Sequence, residues 1–290
     1  MTHPTVLVHI DDSPECRHRL AVALPLSRTL GAHLAGAYFQ DAPDIAPAVA
    51  ALLPPETFER HAQHLAARRR FAEDAFRGAA EEAGIATVEW RAPEGSGIEA
   101  AVAQARCADL TVLSQPDRAQ LDWGYEAQRL AAVLLESGRP LLVAPRIDVE
   151  PSFGRHIAVA WDGGREASRA VGDALPLLVR AERVTVACLD PGATARGADA
   201  AARERLLEYL QRHGVKARLE ADHLGDDDIG VGDWLLSRIA DIGADLLVMG
   251  GYGHPRWRER VLGGATRALL AAMTVPLTLA ASTSPLPPAT

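Results

Sequence analysis

Lysine is almost missing. Lys216 is the only one among 290 residues, and every other member of the 30 basic side chains is arginine. Schiff-base chemistry on a lysine therefore has a single candidate, which follows Gly214-Val215 at a predicted strand start. No G-x-x-x-x-G-K-[ST] run exists, and a P-loop is excluded. Cysteine is scarce as well. Cys16, Cys107 and Cys188 lie far apart with no C-x-x-C pair, so neither a disulfide framework nor a zinc site is expected. All three read as inert, buried small hydrophobes in a reducing compartment. No apolar run reaches the roughly 18 residues of a membrane span, and Met1-Thr2-His3-Pro4 leads straight into a strand-like stretch. A cytoplasmic, soluble chain is expected. G-x-S-x-G, H-E-x-x-H and paired Cys and His are all absent, which removes the common hydrolase constellations.

The charge balance is acidic, with 38 carboxylates against 30 basic groups and a net charge of -8. Duplex nucleic acid and anionic membranes are therefore poor main partners. An apolar fraction of 48% with 23% charged residues is globular, and at roughly 150 residues per domain the length suggests two domains.

The chain repeats itself. Thr5-Val-Leu-Val-His-Ile-Asp11 aligns with His156-Ile-Ala-Val-Ala-Trp-Asp162 at an offset of 151, as does Ala23-Leu24-Pro25-Leu26 with Ala174-Leu175-Pro176-Leu177. Ala108-Asp-Leu-Thr-Val-Leu113 aligns with Ala244-Asp-Leu-Leu-Val-Met249 at an offset of 136, and Arg139-Pro140-Leu141 with Val275-Pro276-Leu277 at the same offset. The N-terminal copy thus carries 15 extra residues in its middle. We expect two copies, 1–148 and 152–282, joined near Pro145 to Phe153, and a Pro/Ser/Thr-rich disordered tail over 283–290.

In the second copy, short apolar runs at 156–161, 183–189, 215–221, 244–250 and 275–280 alternate with helix-period segments near 165–180, 197–213, 231–242 and 264–273. Nearly continuous apolar runs of this length suit parallel strands covered on both faces. In the first copy a longer helix follows Pro54-Pro55, with an apolar stripe of Phe58, Ala62, Leu65, Ala72, Phe76, Ala79 and Ala83 interrupted by Arg69. The pattern predicts an α/β fold of two tandem doubly wound parallel sheets, with ligands beyond the C-terminal strand ends where strand order reverses.

At that position the second copy has Gly250-Gly251-Tyr252-Gly253, nine residues from His254 to Leu262, and then Gly263-Gly264-Ala265-Thr266 opening a helix. Glycines admit close backbone approach, and a helix N-terminus offers unpaired N–H groups and a positive dipole end, which together suit a phosphate. Arg256, Arg258 and Arg260 share the loop. A tight turn with close helix–strand packing explains the same glycines equally well.

The spacing G-x2-G-x9-G after a fourth strand resembles the ATP-binding universal stress protein pattern, supported by Asp162 in Ala160-Trp-Asp-Gly163 and by Thr274-Val-Pro276 before the last strand. The resemblance covers nearly the whole chain in two copies. It implies five-stranded sheets in the order 3-2-1-4-5, a cytoplasmic stress-response role, and ATP or another adenine nucleotide, with Mg2+, at the switch point of the C-terminal copy. Gly250, Gly253, Gly263 and Gly264 would line the ribose and phosphates, with Ala265 giving an amide, Thr266 a hydroxyl, Asp162 facing the nucleoside and Leu189 a backbone contact to adenine. The pattern's Ser or Thr after the third glycine is here Gly264, which removes a hydrogen bond worth about 1.5–3 kcal/mol. The first copy has Ser114, Asp117, Ala127 and Gln128 at the four glycine positions, and Pro116 removes a donor. It is not expected to bind ATP this way, and Asp11 beside Asp12-Ser13 reads equally as a helix cap. The resemblance also implies that the two copies pack on each other as two separate family chains would; a homodimer is compatible with it. A nucleotide-free scaffold and a slow ATP hydrolase are the alternatives.

Of the remaining residues, His61 and His64 are one helical turn apart but lack a third ligand, and Asp226-Asp227-Asp228 precedes a helix as a solvated cap region would. His254 reads as an exposed loop residue, Arg68-Arg69-Arg70 as a solvated helix face, and Trp161 as core.

Overall fold

The computed structural model describes residues 4–39, 54–85, 87–93, 97–120, 124–190, 200–223, 230–251 and 264–281. The first half runs β1 (Thr5–His9), α1 (Cys16–Leu30), β2 (His33–Ala37), α2 (Pro55–Glu82), β3 (Val88–Arg91), α3 (Gly97–Arg106), β4 (Leu110–Ser114), α4 (Tyr125–Glu136) and β5 (Leu141–Ala144). The second half runs β6 (His156–Ala160), α5 (Arg165–Leu178), β7 (Arg183–Asp190), α6 (Ala200–Arg212), β8 (Ala217–His223), α7 (Val231–Ile242), β9 (Leu246–Gly250), α8 (Gly264–Ala272) and β10 (Leu277–Ala280). The repeated Ala-Leu-Pro-Leu segments sit at the same place in α1 and α5, each helix continuing through its proline, Pro25 or Pro176.

Each half has the strand order 3-2-1-4-5, and within each half all pairs are parallel. The two sheets are joined through their last strands. β5 and β10 pair antiparallel with Leu141 opposite Leu279, Leu142 opposite Thr278 and Val143 opposite Leu277, so ten strands form one sheet. At the offset of 136 this register is symmetric about Leu142 and Thr278, which relates the halves by a local two-fold axis.

Period-2 alternation sends each strand's apolar residues to two cores. On one face Val6, Val8, Ile157 and Val159 pack under α1, α2, α5 and α6, with Leu26, Phe76, Leu178 and Leu210 among the buried partners. On the other, Leu7, Leu113, Leu247 and Met249 pack under α3, α4, α7 and α8, with Leu130, Leu134, Ile239 and Leu269. At roughly 1.5–3 kcal/mol per fully buried aliphatic or Phe side chain, these two layers dominate the stability of both halves. The repeated Ala-Asp-Leu segment has a structural reason: Asp109 accepts the Thr5 N–H at 2.8 Å, and Asp245 accepts the N–H groups of Gly154, Arg155 and His156 at 2.9–3.1 Å. Each carboxylate ties the start of the fourth strand to the start of the first.

Two expectations change. Of the apolar stripe of α2 only Ala72 and Phe76 are buried; Ala79, Ala83 and Leu65 are half-buried, Ala62 is exposed and Phe58 is 44% exposed, because a 28-residue helix outruns the sheet it covers. Cys107 is exposed, at the turn after α3 where its N–H reaches the Gln104 carbonyl, whereas Cys16 and Cys188 are buried as expected. Trp161 is half-buried against the core.

Candidate functional site

The crevice between the C-terminal ends of the first and fourth strands is built in opposite ways in the two halves. In the first half it is filled by polar side chains. Arg19, from the first turns of α1, is 1% exposed. Its Nε donates to the His9 carbonyl at 2.5 Å, Nη1 to Ser114 Oγ at 2.5 Å and Nη2 to Asp11 Oδ1 at 2.5 Å. One guanidinium thus ties the end of β1 to the end of β4. Arg129, from α4, is also buried; its Nη1 lies 3.4 Å from His9 Nδ1, and its guanidinium carbon is 4.9 Å from the centre of the Tyr125 ring. The His9 ring stacks on Phe39 with 5.2 Å between centroids.

Burial, followed by the charges of Arg19 and Arg129, pushes the His9 imidazole well below its ordinary range, so it is held neutral. Burial by itself would raise the Asp11 carboxyl, but the Arg19 guanidinium and the Ser13 donors outweigh it and hold Asp11 well below the usual carboxylate range. Asp11 is thus an ionised partner of Arg19, and its Oδ1 also accepts from Ser13 N and Ser13 Oγ. It does not cap α1, whose N-cap residue is Glu15.

In the second half the same positions carry small residues. His9 corresponds to Ala160, Arg19 to Ala170, Arg129 to Ala265 and Ser114 to Gly250. Asp162 keeps the strand-end position of Asp11, is exposed, and accepts the Gly164 N–H at 2.8 Å through Oδ1. Gly250 ends β9. A Cβ there would stand 2.6 Å from the Ala167 nitrogen and the Glu166 carbonyl carbon, so the first turn of α5 packs directly on it. Close helix–strand packing therefore accounts for this glycine without a ligand. Gly251, the counterpart of Gln115, would place a Cβ 3.0 Å from Leu134 of the first half. Gln115 itself bridges the halves by donating to the Leu270 carbonyl at 2.8 Å, and within its own half it accepts the Arg146 N–H at 2.9 Å.

Gly264 is the exposed first residue of α8, with nothing within 4 Å of where its Cβ would lie; Ala265 is half-buried and Thr266 buried in the same turn. Gly253, Gly263, His254, Arg256, Arg258, Arg260 and Asp226-Asp227-Asp228 lie outside the described residues, as does the side chain of Leu189, whose backbone belongs to β7.

His61 and His64 are exposed on α2. Among the described residues no three His, Cys, Asp or Glu side chains converge on a metal position. Of Arg68-Arg69-Arg70, only the first departs from a plain solvated face. Arg68 forms a two-pronged pair with Asp12, Nε to Oδ2 at 2.6 Å and Nη2 to Oδ1 at 2.5 Å. Both residues line a cavity of about 210 Å3 beyond the ends of β1 and β2 in the first half.

Arg19, Arg129 and His9 are not singled out by any motif. Their signal is positional: once the offsets of 151 and 136 are fixed, all three fall opposite alanine.

No protein-family model and no curated protein matches the sequence. Solved structures do. A universal stress protein from Archaeoglobus fulgidus DSM 4304 superposes with a TM-score of 0.72 at 12% identity, covering 97% of each chain. A functionally unknown protein from Pseudomonas aeruginosa PAO1 gives a TM-score of 0.59 at 15% identity, covering 97% of this chain and 93% of that one. Among the described residues no helix is long and apolar enough to cross a membrane. With two copies of the 3-2-1-4-5 order on one chain and near-complete superposition on the first of these structures, this protein has the universal stress protein fold in tandem.

Proposed function

We propose that the chain is a tandem universal stress protein that binds ATP or another adenine nucleotide in its second half, one site per chain, and acts in stress sensing or resistance without catalysis. The observation that carries the reading is the contrast between the two crevices. The first half stations His9, Arg19 and Arg129 at its switch point, and the second stations Ala160, Ala170 and Ala265 at the matching positions. Small side chains beyond the strand ends, beside a helix N-terminus, are what a nucleotide with its phosphates requires.

The residues at hand fit such a ligand. Gly264 leaves the start of α8 open on its side-chain side, and Asp162 is exposed with Oδ2 uncommitted among the described residues. Gly250, Gly253, Gly263, Gly264 and the Ala265 amide would line ribose and phosphates, Thr266 the first turn of α8, Asp162 the nucleoside, and the Leu189 backbone the base. Mg2+ would accompany the triphosphate as its counterion. The domains carrying this arrangement are 1–148, with the filled crevice, and 152–282. A cytoplasmic location agrees with the three unpaired cysteines.

The test is Gly253→Val. A branched side chain in the glycine loop should abolish ATP binding while the thermal midpoint stays that of the parent. Parent-like affinity in this variant would contradict the assignment. A scaffold role without nucleotide is the second reading, favoured by Gly264 standing where a hydroxyl is expected and by the packing role of Gly250.

A further inference from the structure

A second cavity, of about 280 Å3, opens where the two halves meet. It is lined by Arg118 of the first half and by Gly264, Arg267, Ala268 and Ala271 of α8. The four α8 positions fall at i, i+3, i+4 and i+7 and so share one helix face, while Thr266, Leu269 and Leu270 are buried. The cavity therefore follows the flank of α8 rather than its core side. Its other wall is the single turn of 3-10 helix at Arg118–Gln120. That turn is fixed by Asp117 Oδ1, which accepts the Ala119 N–H at 2.9 Å, and by Gln115, which donates to the Leu270 carbonyl at 2.8 Å.

The fold by itself does not demand this cavity. At the offset of 136, Gly264, Arg267, Ala268 and Ala271 correspond to Gln128, Ala131, Ala132 and Leu135 of α4. The second half thus has smaller side chains at two positions and a guanidinium where the first half has a methyl group. Both charged groups of the lining are positive, and among the described residues no carboxylate lines it. Asp117, next to Arg118, is engaged by its own turn. Two like charges at one cavity repel each other unless an anion comes between them. Guanidinium forks match the oxygens of a phosphate group, and two of them balance a phosphate dianion.

We propose that Arg118 and Arg267, one from each half, form a phosphate seat across the seam, taking either free inorganic phosphate or a phosphate group of a larger ligand. Occupancy would fasten the loop after β4 to α8. The seat uses the flank of α8 and a residue of the other half, so it can stand or fail apart from the glycine loop of the proposed nucleotide site. The experiment titrates inorganic phosphate, ATP and adenosine into the full chain and into Arg118→Ala, Arg267→Ala and Ala271→Leu. The last variant copies Leu135 and fills the cavity without altering charge. Arg118 and Arg267 are exposed, so the thermal midpoint without phosphate should stay that of the parent, and it is measured alongside.

Phosphate should bind the parent, raise its thermal midpoint, and lose about tenfold or more in affinity in each of the three variants. Its binding should persist in Gly253→Val, which separates the seat from the glycine loop. ATP weakened by Arg118→Ala while adenosine is unchanged would assign the seat to the phosphates of the nucleotide. ATP that is unaffected by Arg118→Ala, or does not bind at all, would leave the seat to free phosphate. The proposal is overturned if phosphate fails to bind the parent at about 10 mM. It is overturned equally if phosphate binds Arg118→Ala and Ala271→Leu as tightly as the parent, or if Gly253→Val abolishes its binding.

Discussion

The two halves share a fold, a strand order and a pair of aspartates that end their first strands, yet they treat the space beyond those strands differently. The first half closes it with its own charges: Arg19 bonds to both strand ends, Arg129 backs His9, and Asp11 neutralises Arg19. The second half has alanine at the positions of all three large side chains and glycine in place of Ser114. The same switch point is thus closed by buried charged side chains in one half and carries alanine and glycine in the other, where on the proposed function a ligand would satisfy the strand-end groups.

The comparison is broken most severely at Arg19. Arg19→Ala should cost about 3–5 kcal/mol, because it leaves the Asp11 carboxylate and Ser114 hydroxyl without their buried partner. Denaturant unfolding checks this, and a loss under about 1 kcal/mol would show that the cluster does not hold β1 to β4. Next comes Gly250→Ser, which copies Ser114 into the second half. Its Cβ would collide with the backbone of Glu166 and Ala167 at 2.6 Å. The expected loss is about 1–3 kcal/mol from overpacking, measurable as a lowered thermal midpoint. The reciprocal Ser114→Gly should cost less, since no backbone is displaced.

Acidification acts on the crevice of the first half through His9, while the value of His156 at the start of β6 is likewise lowered by burial, outside the crevice. The folded value of His9 lies below the unfolded one, near 6.5, so the unfolded chain takes up the proton first as pH falls. The contribution of a neutral His9 is complete above about pH 6.5 and declines below it, by up to about 1.4 kcal/mol per pH unit until the folded value is reached. Asp11 has the same sign at lower pH: its stabilisation is present above the ordinary carboxylate range and is lost as pH falls toward its depressed folded value. His9→Ala, which restores the residue type of Ala160, should flatten the stability slope between pH 7 and 5 by about one proton. An unchanged slope would mean that His9 already titrates normally. The smallest effect is expected at the joint between the halves. Gln115→Gly, which copies Gly251, removes the hydrogen bond to Leu270 across the packed interface and the one from Arg146 within the first half, and should cost about 1–2 kcal/mol.

Much of this was legible in the sequence for physical reasons. Parallel strands covered on both faces must be continuously apolar, so Leu246–Gly250 and Leu277–Ala280 stand out, and the helices between them show a 3.6-residue period. The joining of the two sheets through β5 and β10 was not legible, because Leu141–Ala144 reads the same whether its outer edge is covered by a helix or by another strand. Arg19 was equally hidden. On a helical wheel it is one more arginine, and only the three-dimensional coincidence of Ser114, His9 and Asp11 makes burying it favourable. The exposure of Cys107 depends on a turn, and the unburied start of α2 depends on where the sheet stops; local periodicity reports neither.

The most direct test of the account is the stoichiometry of ATP binding. Calorimetric titration of ATP with Mg2+ into the chain stripped of nucleotide should give one site per chain, lost in Gly253→Val. Two sites per chain would show that the filled crevice of the first half still admits a triphosphate. A single site that survives Gly253→Val would show that the second half is not where it binds, and either result would contradict the division of labour between the halves.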